Sequence, residues 1–137
     1  MSKKPKIGCV AVIPLANGKY LGLNSDTRGF ILPGGKYDPE DDNSFQDCAA
    51  RECREETGVK VNADDVSYVW HGPDGYGYDV FAFLFTDADF KYLHDEEYLF
   101  CEGEPCEVTR EQLFESKYGA YYRVMFEVLD SKFSVEE

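Results

Sequence analysis

Three glutamates and two arginines fall within six consecutive residues, Arg51-Glu52-Cys53-Arg54-Glu55-Glu56, followed by Thr57-Gly58-Val59. If residues 44–57 are helical, at about 100° per residue, Glu52 and Glu56 share the face of Phe45 and Ala49, with Glu55 flanking it at about 80° from Phe45. A helix lying on a sheet turns that face inward. Ionised carboxylates are costly there unless paired or metal-bound, and a bare cluster raises its own pKa values. Oxygen ligands at i, i+3 and i+4 suit a hard divalent cation such as Mg²⁺ or Mn²⁺. The competing reading is a solvated acidic face ordered by Arg51 and Glu55 as an i,i+4 ion pair. Spacing alone leaves both open.

The residues upstream add a second feature, Leu32-Pro33-Gly34-Gly35-Lys36, in which two glycines let the backbone approach a ligand or metal without Cβ interference. A Gly-Gly strand end, a loop and an acidic helix together resemble the box of the Nudix hydrolases, G-x5-E-x7-R-E-U-x-E-E-x-G-U, where U is apolar. Gly35 fits the first glycine, Arg51-Glu52 and Glu55-Glu56 fit the charged centre, Gly58-Val59 fits the close, and Cys53 takes the first U position. The approach through Cys9-Val10-Ala11-Val12-Ile13 and Phe30-Ile31-Leu32-Pro33-Gly34-Gly35 is also similar to the family's. One departure stands out. The isolated Glu of the box becomes Asn43, and seven residues rather than five separate it from Gly35. Asp42, Asp41 or Glu40 could supply the missing carboxylate, or it is simply absent.

The resemblance implies an α/β (α+β) fold with a mixed β-sheet sandwiched between helices. It implies hydrolysis of the pyrophosphate bond of a nucleoside diphosphate derivative. Mg²⁺, with Mn²⁺ as a substitute, would be held by Glu52, Glu55, Glu56 and the Gly35 carbonyl. Glu55 or Glu56 would be the general base, with Glu52 mainly a ligand and Arg51 orienting Glu55. Some family members instead take the base from a late loop, which here means Glu97, Glu102 or Glu104. The expected substrate is a free nucleoside or deoxynucleoside triphosphate, oxidised forms included. Dinucleoside polyphosphates, ADP-ribose and nucleotide sugars are the alternative classes. A different class of function also stands: a catalytically silent nucleotide-sensing or partner-binding module, supported by Asn43 and the longer loop. The blandest alternative is an acidic cation-binding or interaction domain that takes no nucleotide.

Weaker candidates surround this centre. Arg28 and Lys36 flank the Gly-Gly strand and could contact phosphate, although each also reads as an ordinary surface charge. Tyr76 and Tyr78 lie where related enzymes place substrate-selecting residues, against a simpler reading as turn and strand packing. Phe30 or Trp70 could stack on a base. His71 and His94 read as a strand and a loop histidine.

The elements that must position these residues are legible in outline. Ile7–Leu15 is a β-rich run, Asn17-Gly18 a hairpin signal, and Lys19–Leu23 a returning strand. Gly29–Leu32 is a short strand that Pro33-Gly34-Gly35 should stop. Ser44 or Asn43 caps a helix that runs to about Thr57, with Gly58 just past its end. Val66–His71 and Tyr78–Thr86 are strands around the turn-rich Gly72-Pro73-Asp74-Gly75. Asp87–Pro105 is irregular and acidic, with one strand around Tyr98–Cys101. A last short strand, Cys106–Thr109, leads into a capping box, Thr109-Arg110-Glu111-Gln112, which opens a helix to about Ser116. Tyr118–Asp130 continues helically, with Tyr122, Met125, Phe126 and Leu129 as a core stripe.

At 137 residues the chain makes one domain, 1–137. Asp and Glu outnumber Lys and Arg 27 to 14, for a formal charge of −13, which excludes a surface that binds long nucleic acid by neutralising phosphates. With 43% hydrophobic and 15% aromatic residues, it can bury a core and is not disordered. No stretch approaches the roughly 20 apolar residues of a membrane span, and no signal-peptide cleavage site follows the basic start. Five cysteines without a C-x-x-C read as reduced, mostly buried thiols in a cytoplasmic protein. The expected partner is a small nucleotide, and the aromatic-rich second half leaves room for a homodimer surface.

Overall fold

A computed structural model describes residues 6–91, 93 and 103–133. Strand β1 (Ile7–Val12) is its axis. It runs parallel to β7 (Asp79–Phe85) and antiparallel to β4 (Gly34–Lys36), and β6 (Val66–Pro73) completes a four-stranded sheet in the order β4-β1-β7-β6. A second sheet has the order β3-β2-β9, from Gly29–Ile31, Tyr20–Ser25 and Glu104–Val108. Two short strands, β5 (Lys60–Val61) and β8 (Ala88–Asp89), pair separately. The helices are α1 (Phe45–Thr57), α2 (Arg110–Phe114) and α3 (Gly119–Lys132).

Both faces of β1 are covered, so its alternation runs between two cores rather than between core and solvent. Cys9, Ala11 and Ile13 join Cys48, Ala49 and Cys53 of α1 in one cluster. Val10 and Val12 join Tyr122, Met125, Phe126 and Leu129 of α3 in the other. The mixed sheet between helices expected from the sequence is therefore present, and the α3 stripe is core.

The strand boundaries differ from expectation in instructive ways. Asn17-Gly18 does make a tight turn, with φ of 65° and 72° and Leu15 N–H donating to Lys19 O at 2.8 Å. The strands it joins nonetheless part into different sheets. Pro14 has no N–H to continue a ladder, and Pro14–Tyr20 is only an isolated bridge. Strand β3 does stop before Pro33, as expected, but the two glycines after it are themselves in a strand. Pro33 O accepts from Ala11 N–H at 2.9 Å, and Gly34-Gly35 continues as β4. A Cβ on Gly34 would lie 2.5 Å from Cys9 O, so glycine is what allows β4 to lie against β1.

The capping box on Thr109 forms as read, with Thr109 and Gln112 exchanging hydrogen bonds. Strand β9 starts two residues earlier than expected, at Glu104, and β5 and β8 were not foreseen. The expected strand around Tyr98–Cys101 lies outside the described residues. Cys9, Cys48, Cys53 and Cys106 are free thiols, the first three buried. No helix among the described residues is long and apolar enough to cross a membrane.

Candidate active site

Helix α1 carries the acidic cluster and is fixed at both ends. Ser44 Oγ accepts from Asp47 N–H at 3.1 Å, and Gly58, at φ 80°, donates its N–H to Arg54 O at 2.9 Å. The positive φ is why glycine closes the helix. Cys48, Ala49 and Cys53 anchor the inner face. On that face Glu56 is buried (4% exposed), and the Glu52 side chain is 17% exposed. Glu55 stands to the side with its side chain 52% exposed, in the order that the helical spacing predicts.

Strand β4 supplies the opposite wall. Gly34 N–H donates to Glu56 Oε1 at 2.9 Å. A Cβ on Gly35 would fall 2.3 Å from the Glu52 carboxyl carbon, so the close seating of that carboxylate on the backbone requires glycine there. Burial pushes the Glu56 carboxyl up to about 8, the Gly34 N–H only partly opposing it. Burial also raises Glu52, with the Arg51 guanidinium opposing.

Arg51 ties the outer carboxylates together. It donates to Asp42 through Nε at 2.7 Å and Nη2 at 3.0 Å, to Glu52 Oε1 at 3.0 Å, to Glu55 Oε2 at 3.2 Å and to Lys36 O at 3.2 Å. The sequence left open whether Glu40, Asp41 or Asp42 answers for the acid missing at Asn43. The structure brings Asp42 to Arg51. Asp42 is 4% exposed, its Oδ2 also accepts from Asp38 N–H at 2.9 Å, and Arg51 holds its carboxyl below the usual carboxylate range. The longer loop turns at Asp38, whose carbonyl accepts from both Asp41 and Asp42 N–H, and this delivers Asp42 inward.

Beside the helix opens a cavity of about 400 Å³ whose lining includes Gly35 and Glu52 together with Arg28, Lys36, Asp74, Tyr78, Tyr118, Tyr121 and Tyr122. That volume suits a nucleotide-sized ligand. Of the weaker sequence candidates, Arg28, Lys36 and Tyr78 are at this cavity. Tyr76 is not: its hydroxyl donates to Lys117 O at 3.1 Å, and its ring meets Tyr118 edge-on. Glu104 is not either, standing on β9 opposite Asn24. Glu97, Glu102 and His94 lie outside the described residues. His71 stacks on Phe81 at 4.0 Å and Trp70 on Tyr121 at 5.6 Å, while Phe30 packs on the core.

Sequence reasoning missed Asp74, Tyr118 and Tyr121 and placed Tyr122 only in the core. Tyr122 does pack there, but it also borders the cavity, and its hydroxyl accepts from Leu32 N–H at 2.9 Å. The available signal was the run of Tyr118, Tyr121 and Tyr122, too many hydroxyls for a wholly apolar stripe.

The donor set fits a hard divalent cation in chemistry: a backbone carbonyl on a glycine that leaves room, and three carboxylates, one of them the buried Glu56, which accepts from a single donor among the described residues. As the side chains stand, no group of three or more His, Cys, Asp or Glu among the described residues is gathered to hold a metal ion. Arg51 occupies Glu52 and Glu55 instead.

A family model, the NUDIX domain, matches residues 8–124. Solved structures share the fold. The solution structure of the E. coli ORF135 protein superposes with a TM-score of 0.63 at 21% identity, covering 97% of this chain and 96% of that one. The MutT protein of Bacillus halodurans gives 0.65 at 18%, covering 90% and 82%. An ADP compounds hydrolase gives 0.65 at 15%, covering 96% and 77%. With most of its length matched by the family model, the chain belongs to the NUDIX domain family, the pyrophosphohydrolases that its box resembled.

Proposed function

We propose that the chain hydrolyses the pyrophosphate bond of a nucleoside or deoxynucleoside triphosphate with Mg²⁺ as cofactor, working on free nucleotides in the cytoplasm. The observation that carries this reading is the inward pair Glu52 and Glu56, seated on Gly35 and Gly34, with Glu52 and both glycines at the wall of a nucleotide-sized cavity. Two inward carboxylates without a full cationic partner make a poor structural element and a good cation cradle. Glu52, Glu56 and the Gly35 carbonyl hold the cation, with Glu55 completing the set. When bound, Mg²⁺ neutralises phosphate charge and polarises phosphorus toward attack by water.

The chain's own groups do the rest. Lys36, whose ammonium lies 5.9 Å from the Tyr78 ring, and Arg28 border the cavity and bind phosphate oxygens. Glu55 is open to solvent and held by Arg51, so it can accept the proton of an incoming water while its orientation is fixed. Arg51 is a positioning residue, itself anchored by Asp42. That anchor removes the main support for a silent module, because the position left by Asn43 is answered by Asp42.

The test is a panel of nucleoside triphosphates, dinucleoside polyphosphates, ADP-ribose and nucleotide sugars with Mg²⁺, products identified by ³¹P NMR. The expected result is Mg²⁺-dependent cleavage of a triphosphate to a monophosphate and pyrophosphate, reduced at least about 10³-fold in Glu52→Gln. No cleavage of any compound would overturn the reading, and saturable nucleotide binding without cleavage would restore the silent module.

A further inference from the structure

The turn between β6 and β7 places one carboxylate at the cavity with a role the turn does not exhaust. Asp74 N–H donates to Tyr78 O at 3.0 Å, and Asp74 Oδ1 accepts from Tyr76 N–H at 2.6 Å and Tyr78 N–H at 3.2 Å. Oδ1 is thereby saturated by the backbone. Among the described residues nothing donates to Oδ2, and no fully buried side-chain oxygen there lacks a partner, so Oδ2 must meet solvent. Asp74 is only 9% exposed, and it lines the cavity. Tyr118 and Tyr121 line the same cavity.

The location matters as much as the atom. Strands β4 and β6 are the two edges of the four-stranded sheet. Gly35 and Glu52 stand at the β4 edge, and Asp74 follows β6 at the other. Three inter-strand gaps of about 4.8 Å, about 14 Å, lead from Gly35 through Cys9 and Phe81 to His71, and Asp74 follows three residues further along the chain. A ligand whose phosphates meet Glu52, with Lys36 reaching along it as far as Tyr78, extends its opposite end toward Asp74 and the tyrosine rings. An acceptor in a cavity that also presents aromatic rings is suited to a flat group that carries N–H donors.

We propose that Asp74 is a specificity-determining residue that reads the base, with Oδ2 accepting a hydrogen bond from an exocyclic amino group and thereby favouring amino-bearing bases over their oxo or deaminated counterparts. A carbonyl at that place would face a carboxylate oxygen with no hydrogen between them. The proposal rests on the reading of the cavity as a nucleotide pyrophosphohydrolase site.

The test uses pairs of nucleotides that differ at one amino group, dCTP with dUTP and dGTP with dITP. In the pair the enzyme turns over faster, kcat/KM should favour the amino member by about 10- to 100-fold, the worth of a hydrogen bond to a charged acceptor. Asp74→Asn makes the test sharp. The two backbone N–H groups require an acceptor, so the amide oxygen takes the place of Oδ1 and the amide nitrogen points where Oδ2 did. An acceptor becomes a donor. The ratio should fall to about one or below, through a gain for dUTP or dITP as well as a loss for the amino member. A merely structural Asp74 would lower both members of a pair together.

Nucleotide binding is followed in parallel by Trp70 fluorescence, Trp70 being stacked on Tyr121, and Asp74→Ala, which also removes the turn bonds, serves as the folding control. A wild-type ratio near one, or a ratio unchanged in Asp74→Asn, overturns the proposal while hydrolysis stands. An amino preference in binding without cleavage supports Asp74 and overturns the hydrolase reading. Absence of both binding and cleavage overturns the two together.

Discussion

Glu56→Gln should make the metal-free protein more stable at alkaline pH while abolishing turnover. Burial holds the Glu56 carboxyl near 8 in the fold, against 4.5 for a free glutamate. A folded pKa above the unfolded one means that the folded protein prefers the protonated acid. No cost arises below about pH 4.5, where both states are protonated; stability is lost as pH rises through 4.5 to 8, and the full penalty stands above 8. The interval corresponds to about 4–5 kcal/mol between the two protonation states. Relaxation and entering water reduce what is measured to roughly 2–3 kcal/mol. Glutamine keeps the acceptor for Gly34 N–H and never ionises. In EDTA, Glu56→Gln should therefore match wild type at pH 5 and exceed it at pH 9 by about 2–3 kcal/mol. That is roughly 6–12 °C in the midpoint of a thermal melt. Mg²⁺ should raise the wild-type melt at pH 9 and leave the variant's almost unmoved. If the variant is equally or less stable than wild type at pH 9, Glu56 is not a buried unpaired carboxylate and the cradle argument fails.

Arg51→Met removes the charge that faces Asp42, which is 4% exposed, and should cost about 2–4 kcal/mol in urea unfolding, against about 1 kcal/mol for Asp42→Asn, which keeps the Asp38 N–H bond. Gly35→Ala drives a methyl into the Glu52 carboxylate at 2.3 Å; the flexible end of Glu52 yields, so the melt should fall by less than about 3 °C while kcat drops about 100-fold or more. Tyr122→Phe strips the acceptor from Leu32 N–H at 2.9 Å and should cost about 1–2 kcal/mol, with an unchanged unfolding midpoint refuting that bond.

What could be read in the sequence was local. The cap at Ser44, the αL glycine at 58 and the inward turn of Glu52 and Glu56 all follow from spacing within one helix, and the structure has them as read. What could not be read depended on pairing partners distant in sequence. Gly34-Gly35 looks like a breaker until β1 is beside it, because only then does the missing Cβ become the condition for a strand. Asp42 could not be separated from Asp41 and Glu40 because the choice lies in how the longer loop closes on Asp38. The cavity wall was the least legible part. Asp74 and Tyr121 are 47 positions apart, and α3 reads as core because most of its stripe is core. Tyr76 and Tyr78 were indistinguishable by composition. The Asp74 turn, with Gly75 and Gly77 at positive φ, is what parts them, leaving Tyr78 at the cavity and Tyr76 on Lys117.

The two interpretations that the acidic spacing allowed are both present, on different members of the cluster. Glu55 is the ion-paired residue on a solvated face, as the simpler reading required. Glu56 is the buried carboxylate that this reading cannot accommodate, since among the described residues it accepts one backbone N–H and the cation that acts on it, Arg28, does so only through space. Arg51 brings one positive charge to Asp42, Glu52 and Glu55, and its bidentate grip belongs to Asp42. Arg51 alone therefore leaves the group of four carboxylates short of positive charge by about three when all are ionised, a deficit that falls mainly on Glu52 and Glu56 and that Arg28 offsets only through space. In the metal-free protein protonation relieves part of it, as the raised Glu56 shows. A divalent cation relieves more of it and does so at neutral pH, without asking Arg51 to leave Asp42. A phosphate ligand would add to the deficit rather than cancel it. On a chain of formal charge −13, the proposed reading thus requires a nucleotide to enter this cavity in company with its cation, and the same carboxylates that destabilise the metal-free fold would make that entry selective.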